Sequence, residues 1–150
     1  MNRSTKINET IVKFGYPATL VAEYAHWVVL LRPAQPTLGS LILAAKSDVT
    51  AFSELKPKAF AELATLTAHI EKVLKQAIAP AKINYLMLMM VDPHVHFHVI
   101  PRYEGGRGYK GIDVTDAGWP GVPALGEARK LEPKEIEKVI GWLRGWWPST

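Results

Sequence analysis

His94, His96 and His98 alternate within His94-Val95-His96-Phe97-His98-Val99-Ile100, and they are three of the chain's five histidines. In an extended strand successive side chains point to opposite faces, so the three imidazoles share one face at spacings of roughly 6–7 Å. Val95, Phe97, Val99 and Ile100 serve the opposite face and the strand end. A lone strand histidine is ordinarily a packing or surface residue, but packing gains nothing from strict repetition. Two chemistries remain: a metal site, or a site that handles phosphate.

Zinc accepts imidazole readily, and three histidines plus water form a known catalytic set. Ligands at alternate strand positions are nearly collinear, however, whereas a tetrahedral site needs convergent ones. No Asp/Glu-rich segment supplies an evident fourth ligand, and Asp92 sits at a turn. For phosphate the same strand offers more. A neutral imidazole nitrogen is a competent nucleophile toward phosphorus when its other nitrogen is held by an acceptor. Flanking imidazoles can donate to phosphate oxygens and protonate a leaving group.

The segments around this strand must position it. Ile83 to Val91 reads as a buried strand with its Met residues as core filler, and Asp92-Pro93 as a tight link making a hairpin with the histidine strand. Upstream, Thr19 to Glu23, His26 to Arg32 and Gly39 to Ala45 read as strands, and Asn8 to Phe14 as a short helix. Pro57 opens a helix whose apolar residues Phe60, Leu63, Leu66, Ile70, Val73, Leu74 and Ala77 recur at three-and-four spacing, with Pro80 beyond its end. Tyr103 to Pro123, rich in Gly and Pro, reads as a long loop. Glu132 to Trp147 reads as a C-terminal helix. Adjacent strands with segregated helices predict an α+β fold with an antiparallel sheet.

Bulk properties narrow the partners. The chain has 150 residues, 48% of them hydrophobic and 21% charged, as expected for one folded domain, 1–150, rather than disorder. Cysteine is absent, which removes disulfides, thiolate zinc sites and cysteine nucleophiles. The net charge of +4 suits an anionic ligand, but the basic residues are scattered and do not argue for nucleic acid. The polar start, Met1 to Thr10, does not resemble a signal peptide, and no apolar run is long enough to span a membrane. The expectation is a cytoplasmic protein with no membrane or nucleic-acid partner.

His94 to Ile100 resembles the motif of the histidine-triad (HIT) family, His-φ-His-φ-His-φ-φ with φ apolar, without a mismatch. The order and length of Trp27 to Tyr103 are also similar to that family's core, so the resemblance covers about half the chain, within a core of about 18–103. It implies an α+β half-barrel with a five-stranded antiparallel sheet, one long helix and a C-terminal helix, commonly doubled in a homodimer. It implies a nucleotide substrate attacked at the α-phosphate, a phosphoramidate or dinucleoside polyphosphate, through a nucleotidyl-histidine intermediate. His96 would be the nucleophile. His94 and His98 would bind phosphate oxygens and tune or protonate the leaving group. No metal or cofactor is required, although magnesium can accompany a polyphosphate.

The chain departs from the family pattern in places. Val91-Asp92-Pro93 stands where many relatives carry a Gly-rich loop with Ser or Gln, a short connection similar to that of a bacterial subgroup. Leu30-Leu31-Arg32 stands where relatives often place an Asn for the ribose, and Ser40 follows Gly39 where some have His. Candidate substrate contacts are Arg102, four residues past the triad, Ser40, and Trp27, which could stack on a base or pack in the core. His26 and His69 read as strand-edge and helix-face residues. Trp119, in Gly118-Trp119-Pro120-Gly121, is a candidate for a dimer role. Two rivals remain: a nucleotide-binding or interaction protein with little turnover, and a His-ligated metal hydrolase.

Overall fold

The alternation of apolar residues becomes a five-stranded antiparallel sheet. In a computed structural model, which describes residues 7–149, the elements run α1 (Glu9–Lys13), β1 (Leu20–Glu23), β2 (Trp27–Leu31), β3 (Ala34–Gln35), β4 (Leu41–Ala45), α2 (Pro57–Ala77), β5 (Lys82–Leu86), β6 (His96–Arg102), β7 (Gly106–Tyr109), β8 (Ile112–Thr115), β9 (Arg129–Lys130) and α3 (Pro133–Trp146). Met1–Lys6, within the polar start read above, and Thr150 lie outside the described residues. The main sheet has the order β1-β2-β4-β6-β5.

Strands β2 and β4 are buried along their whole length because both sheet faces are covered. Trp27, Val29, Leu31, Leu41, Leu43 and Val99 face a large core shared with Leu66, Ile70, Val73 and Leu74 of α2 and with Val139, Ile140 and Leu143 of α3. On the opposite face, Val28, Leu30, Ile42 and Ala44 pack with Ile11, Phe14 and Tyr16 from the N-terminal segment. The register pairs Ala44 with His96 and Ile42 with His98, so two triad histidines lie on this second face.

Helix α2 starts at Pro57, whose missing N–H falls among donors already unpaired in the first turn. Its apolar stripe is as expected, except that Phe60 is partly exposed at the margin, beside Phe52. A reciprocal Glu132–Glu135 capping box opens α3. Gly39 enters β4 at φ +90, a left-handed conformation suited to glycine.

Three expectations need correction. The strand expected over Ile83 to Val91 ends at Leu86; Met87 packs against the core as expected, but Met90 and Val91 are 84% and 81% exposed and do not. Consequently β5 and β6 are joined by segment 87–95 rather than by a tight Asp92-Pro93 link. The region Tyr103 to Pro123 is not a structureless loop: β7 and β8 form a hairpin, turned by Lys110 at φ 48 and Gly111 at φ 85. Positive φ at both central residues suits the right-handed twist of paired strands.

Candidate active site

The site is built on the second face of β6. The His96 Nδ1 lies 2.8 Å from the His94 carbonyl oxygen. A carbonyl only accepts, so this bond assigns the proton to Nδ1 and leaves the lone pair on Nε2. The residue is fully buried, and Nε2 is the one buried side-chain nitrogen or oxygen without a hydrogen-bond partner among the described residues. An orphaned, oriented imidazole lone pair of this kind is costly to bury and is not committed to any protein donor.

The neighbouring His98 has the opposite arrangement. Arg32 Nε–H donates to His98 Nδ1 at 3.3 Å, which assigns the imidazole proton to Nε2. Burial first, then the charge of Arg32 and of His96, push the His98 imidazole down to about 4, against a smaller raising effect of Asp92. His98 is therefore a neutral N–H donor at neutral pH. Burial also lowers the Arg32 guanidinium.

His94 stands just before β6, at a bend, rather than in the strand with the other two. Its ring is held from α1: Thr10 Oγ1 lies 2.8 Å from His94 Nδ1 and 3.4 Å from its backbone N–H. Helix α1 is itself anchored. Asn8 accepts from the Ile11 N–H and donates to the carbonyls of Ala45 and Ser47, while Lys13 pairs with Asp92 at 2.7 Å. Beyond the helix, the Phe14 ring lies 5.6 Å from the ring of His96 and 5.9 Å from that of His98. The N-terminal segment thus forms a wall over the histidines. With His94 off the strand line, no group of three or more His, Cys, Asp or Glu among the described residues is arranged to hold a metal ion.

The other three candidates are placed elsewhere or already occupied. Trp27 is fully buried on the α2 face, opposite the histidines, and its Nε1 donates to the Ala59 carbonyl, so it is a core residue and not a base-stacking one. Ser40 is fully buried with its hydroxyl bonded to Thr37. Arg102 is 3% exposed and engaged in a paired interaction with Asp116, at 2.8 and 3.1 Å, and with Asn84 at 2.8 Å. Burial alone would raise the Asp116 carboxyl, but Arg102 and the N–H groups of Tyr103 and Gly118 hold it below its ordinary value. Arg102 instead lines one end of an open cleft of about 750 Å³ with Lys82, Asn84, Leu86, Trp119 and Pro120. Leu86 pairs with His98 in register, so the cleft begins next to the histidines.

Thr10, Phe14 and Arg32 are site residues that the sequence pattern did not single out. A local signal existed for Arg32 alone: a charged residue ends an otherwise apolar strand. Nothing local marks Thr10 or Phe14, whose role depends on the chain crossing the sheet.

Comparison with known proteins agrees with this geometry. The HIT domain family matches residues 15–105. An adenosine 5'-monophosphoramidase of Schizosaccharomyces pombe is 32% identical over 136 residues, covering 87% of this chain and 94% of the relative. Among solved structures, a histidine triad protein from Bradyrhizobium japonicum superposes with a TM-score of 0.73 at 20% identity, covering 97% of this chain and 100% of that one. Another from Sinorhizobium meliloti does so with a TM-score of 0.71 at 23% identity, covering 95% and 96%.

Proposed function

Because this chain belongs to the HIT domain family, we propose that it is a nucleotidyl hydrolase or transferase that works through a nucleotidyl-histidine intermediate. The observation that carries the reading is the His96 Nε2 lone pair, oriented by the His94 carbonyl and left without a partner. Nε2 attacks the α-phosphorus of a nucleoside phosphoramidate or dinucleoside polyphosphate. The bond from phosphorus to the leaving nitrogen or oxygen breaks, and the leaving group departs with the electron pair and takes up a proton delivered through His94. Water then attacks phosphorus and gives up a proton to His94, which restores the proton lost in the first step, while the N–P bond returns its pair to Nε2 and a nucleoside monophosphate leaves with the water's oxygen. His98 Nε2–H donates to a phosphate oxygen throughout, a preorganised dipole that needs no reorientation.

The 32% identity to a monophosphoramidase supports the phosphoramidate substrate. The nucleophile is an imidazole, so the chemistry requires no metal, and magnesium enters only as the counterion of a polyphosphate. The reading includes a homodimer. Edge strand β5 has a neighbour on one side only, and Leu88, Met90 and Val91 beside it are exposed; sedimentation analysis tests this. One observation favours a binding protein with little turnover instead: Phe14 lies over the nucleophile.

Intact-protein mass spectrometry after a brief, acid-free quench with an adenylyl phosphoramidate separates the two. The hydrolase reading expects an adduct of one AMP that is absent in His96→Ala. Rapid quench covers fast breakdown. Neither adduct nor product would leave the binding protein.

A further inference from the structure

Arg32 is a half-buried cation with no carboxylate within salt-bridge distance among the described residues. Its Nε–H is given to His98 Nδ1 and its Nη1 to the Ala34 carbonyl at 2.5 Å, while Nη2 has no hydrogen-bond partner among the described residues. Removing a charge from water without pairing it is unfavourable, so such a group calls for an anion.

The backbone around Arg32 is unusually well fixed. Its N–H donates to the Ser40 carbonyl at 3.0 Å. Fully buried Gln35 donates to the carbonyls of Arg32 and Ser40, at 2.6 and 2.9 Å, and accepts from the Gly39 N–H at 2.8 Å. Ser40, whose hydroxyl closes the same turn on Thr37, completes the bracket. A surface arginine at a strand end needs no such support, whereas a guanidinium that must hold one geometry against an imidazole does.

We propose that Arg32 is the positioning residue of the histidine site: it holds His98 with its proton on Nε2, and its uncompensated charge makes the site prefer a phosphate-bearing ligand over the same ligand without phosphate. The first half stands on geometry alone; the second rests on the nucleotide reading above. The low value of about 4 for His98 agrees with the first half, because a protonated Nδ1 could not accept from Arg32.

The test uses the full chain, wild type and with Arg32→Met or Arg32→Lys. Imidazole ¹⁵N–¹H spectra report the His98 tautomer, and titration calorimetry reports AMP against adenosine. In wild type His98 carries its proton on Nε2 alone. Arg32→Met mixes the tautomers and cuts the preference for AMP over adenosine by roughly tenfold or more, the range for a charge-assisted hydrogen bond, leaving adenosine affinity unchanged. Arg32→Lys keeps most of the AMP preference but not the single tautomer, because a flexible ammonium does not reproduce a planar Nε–H.

An unchanged His98 spectrum in Arg32→Met overturns the positioning role, and an unchanged AMP preference overturns the anion role. If Arg32→Met fails to fold, Arg32→Lys decides the positioning role by the same spectrum. Failure of wild type to bind either AMP or adenosine overturns the nucleotide reading and the anion role with it, while the spectrum still decides the positioning role.

Discussion

The rings of His96 and His98 lie 5.2 Å apart at an interplanar angle of 68° and carry their protons on opposite nitrogens. One presents a lone pair and the other an N–H from adjacent inward positions of one strand. Attack on phosphorus needs that division of roles, and two identical tautomers would not supply it. His96→Asn is expected to lower turnover by several orders of magnitude with nucleotide affinity largely kept. His98→Gln, which retains an N–H donor, is expected to cost less, within the range of about 10²–10⁴ for an assisting group. Single-turnover kinetics beside equilibrium binding checks both.

His98 also governs part of the pH dependence. Its folded value of about 4 lies below the ordinary 6.5. Between those values the unfolded chain binds a proton that the folded chain refuses, so stability falls as pH is lowered through that window. Above 6.5 the residue contributes no slope. The loss by pH 5 is expected to be about 2 kcal/mol. Urea unfolding at pH 7 and pH 5 measures it, and His98→Gln removes this component of the slope.

The Arg102–Asp116 pair joins β6 to the segment that follows β8 and carries Trp119. Asp116→Asn leaves the buried guanidinium unpaired and is expected to cost about 3–5 kcal/mol. The depressed Asp116 carboxyl adds stability above the ordinary carboxylate range, and that stability is lost as pH falls through the lower folded value. Denaturant midpoints at neutral and acid pH should therefore differ less in Asp116→Asn than in wild type.

Phe14 packs against the His96 ring from outside the sheet. Phe14→Ala is expected to make His96 react faster with diethyl pyrocarbonate, followed by peptide mass mapping, at a stability cost of about 1–2 kcal/mol for a half-buried aromatic ring. An unchanged His96 modification rate would mean that another group limits access.

Much of this architecture was legible in the linear chain. The period of two over 94–100 put His96 and His98 on one face, and the three-and-four spacing after Pro57 specified a helix that the structure bounds at Pro57 and Ala77. These are local properties of a backbone with two soft dihedrals per residue, and neighbouring residues are enough to express them. The β7–β8 hairpin was also written locally, in the alternation of Ile112-Asp113-Val114-Thr115 after Lys110-Gly111, but the density of glycines masked it.

The surroundings of the histidines were not legible in that way. Thr10 reaches His94 across 84 positions, Arg32 reaches His98 across 66, and Arg102 meets Asp116 across a hairpin. Which arginine stands at the site and which is spent in a buried pair depends on sheet order and on the path of the N-terminal segment over one face. Sequence by itself determined that one strand presents His96 and His98 on a common face, because strand periodicity is a short-range steric fact. The His96 tautomer follows from the carbonyl of His94 two residues earlier, whereas only the tertiary structure decided which nitrogens of His98 and His94 are engaged, because Arg32 and Thr10 are brought to them from far along the chain.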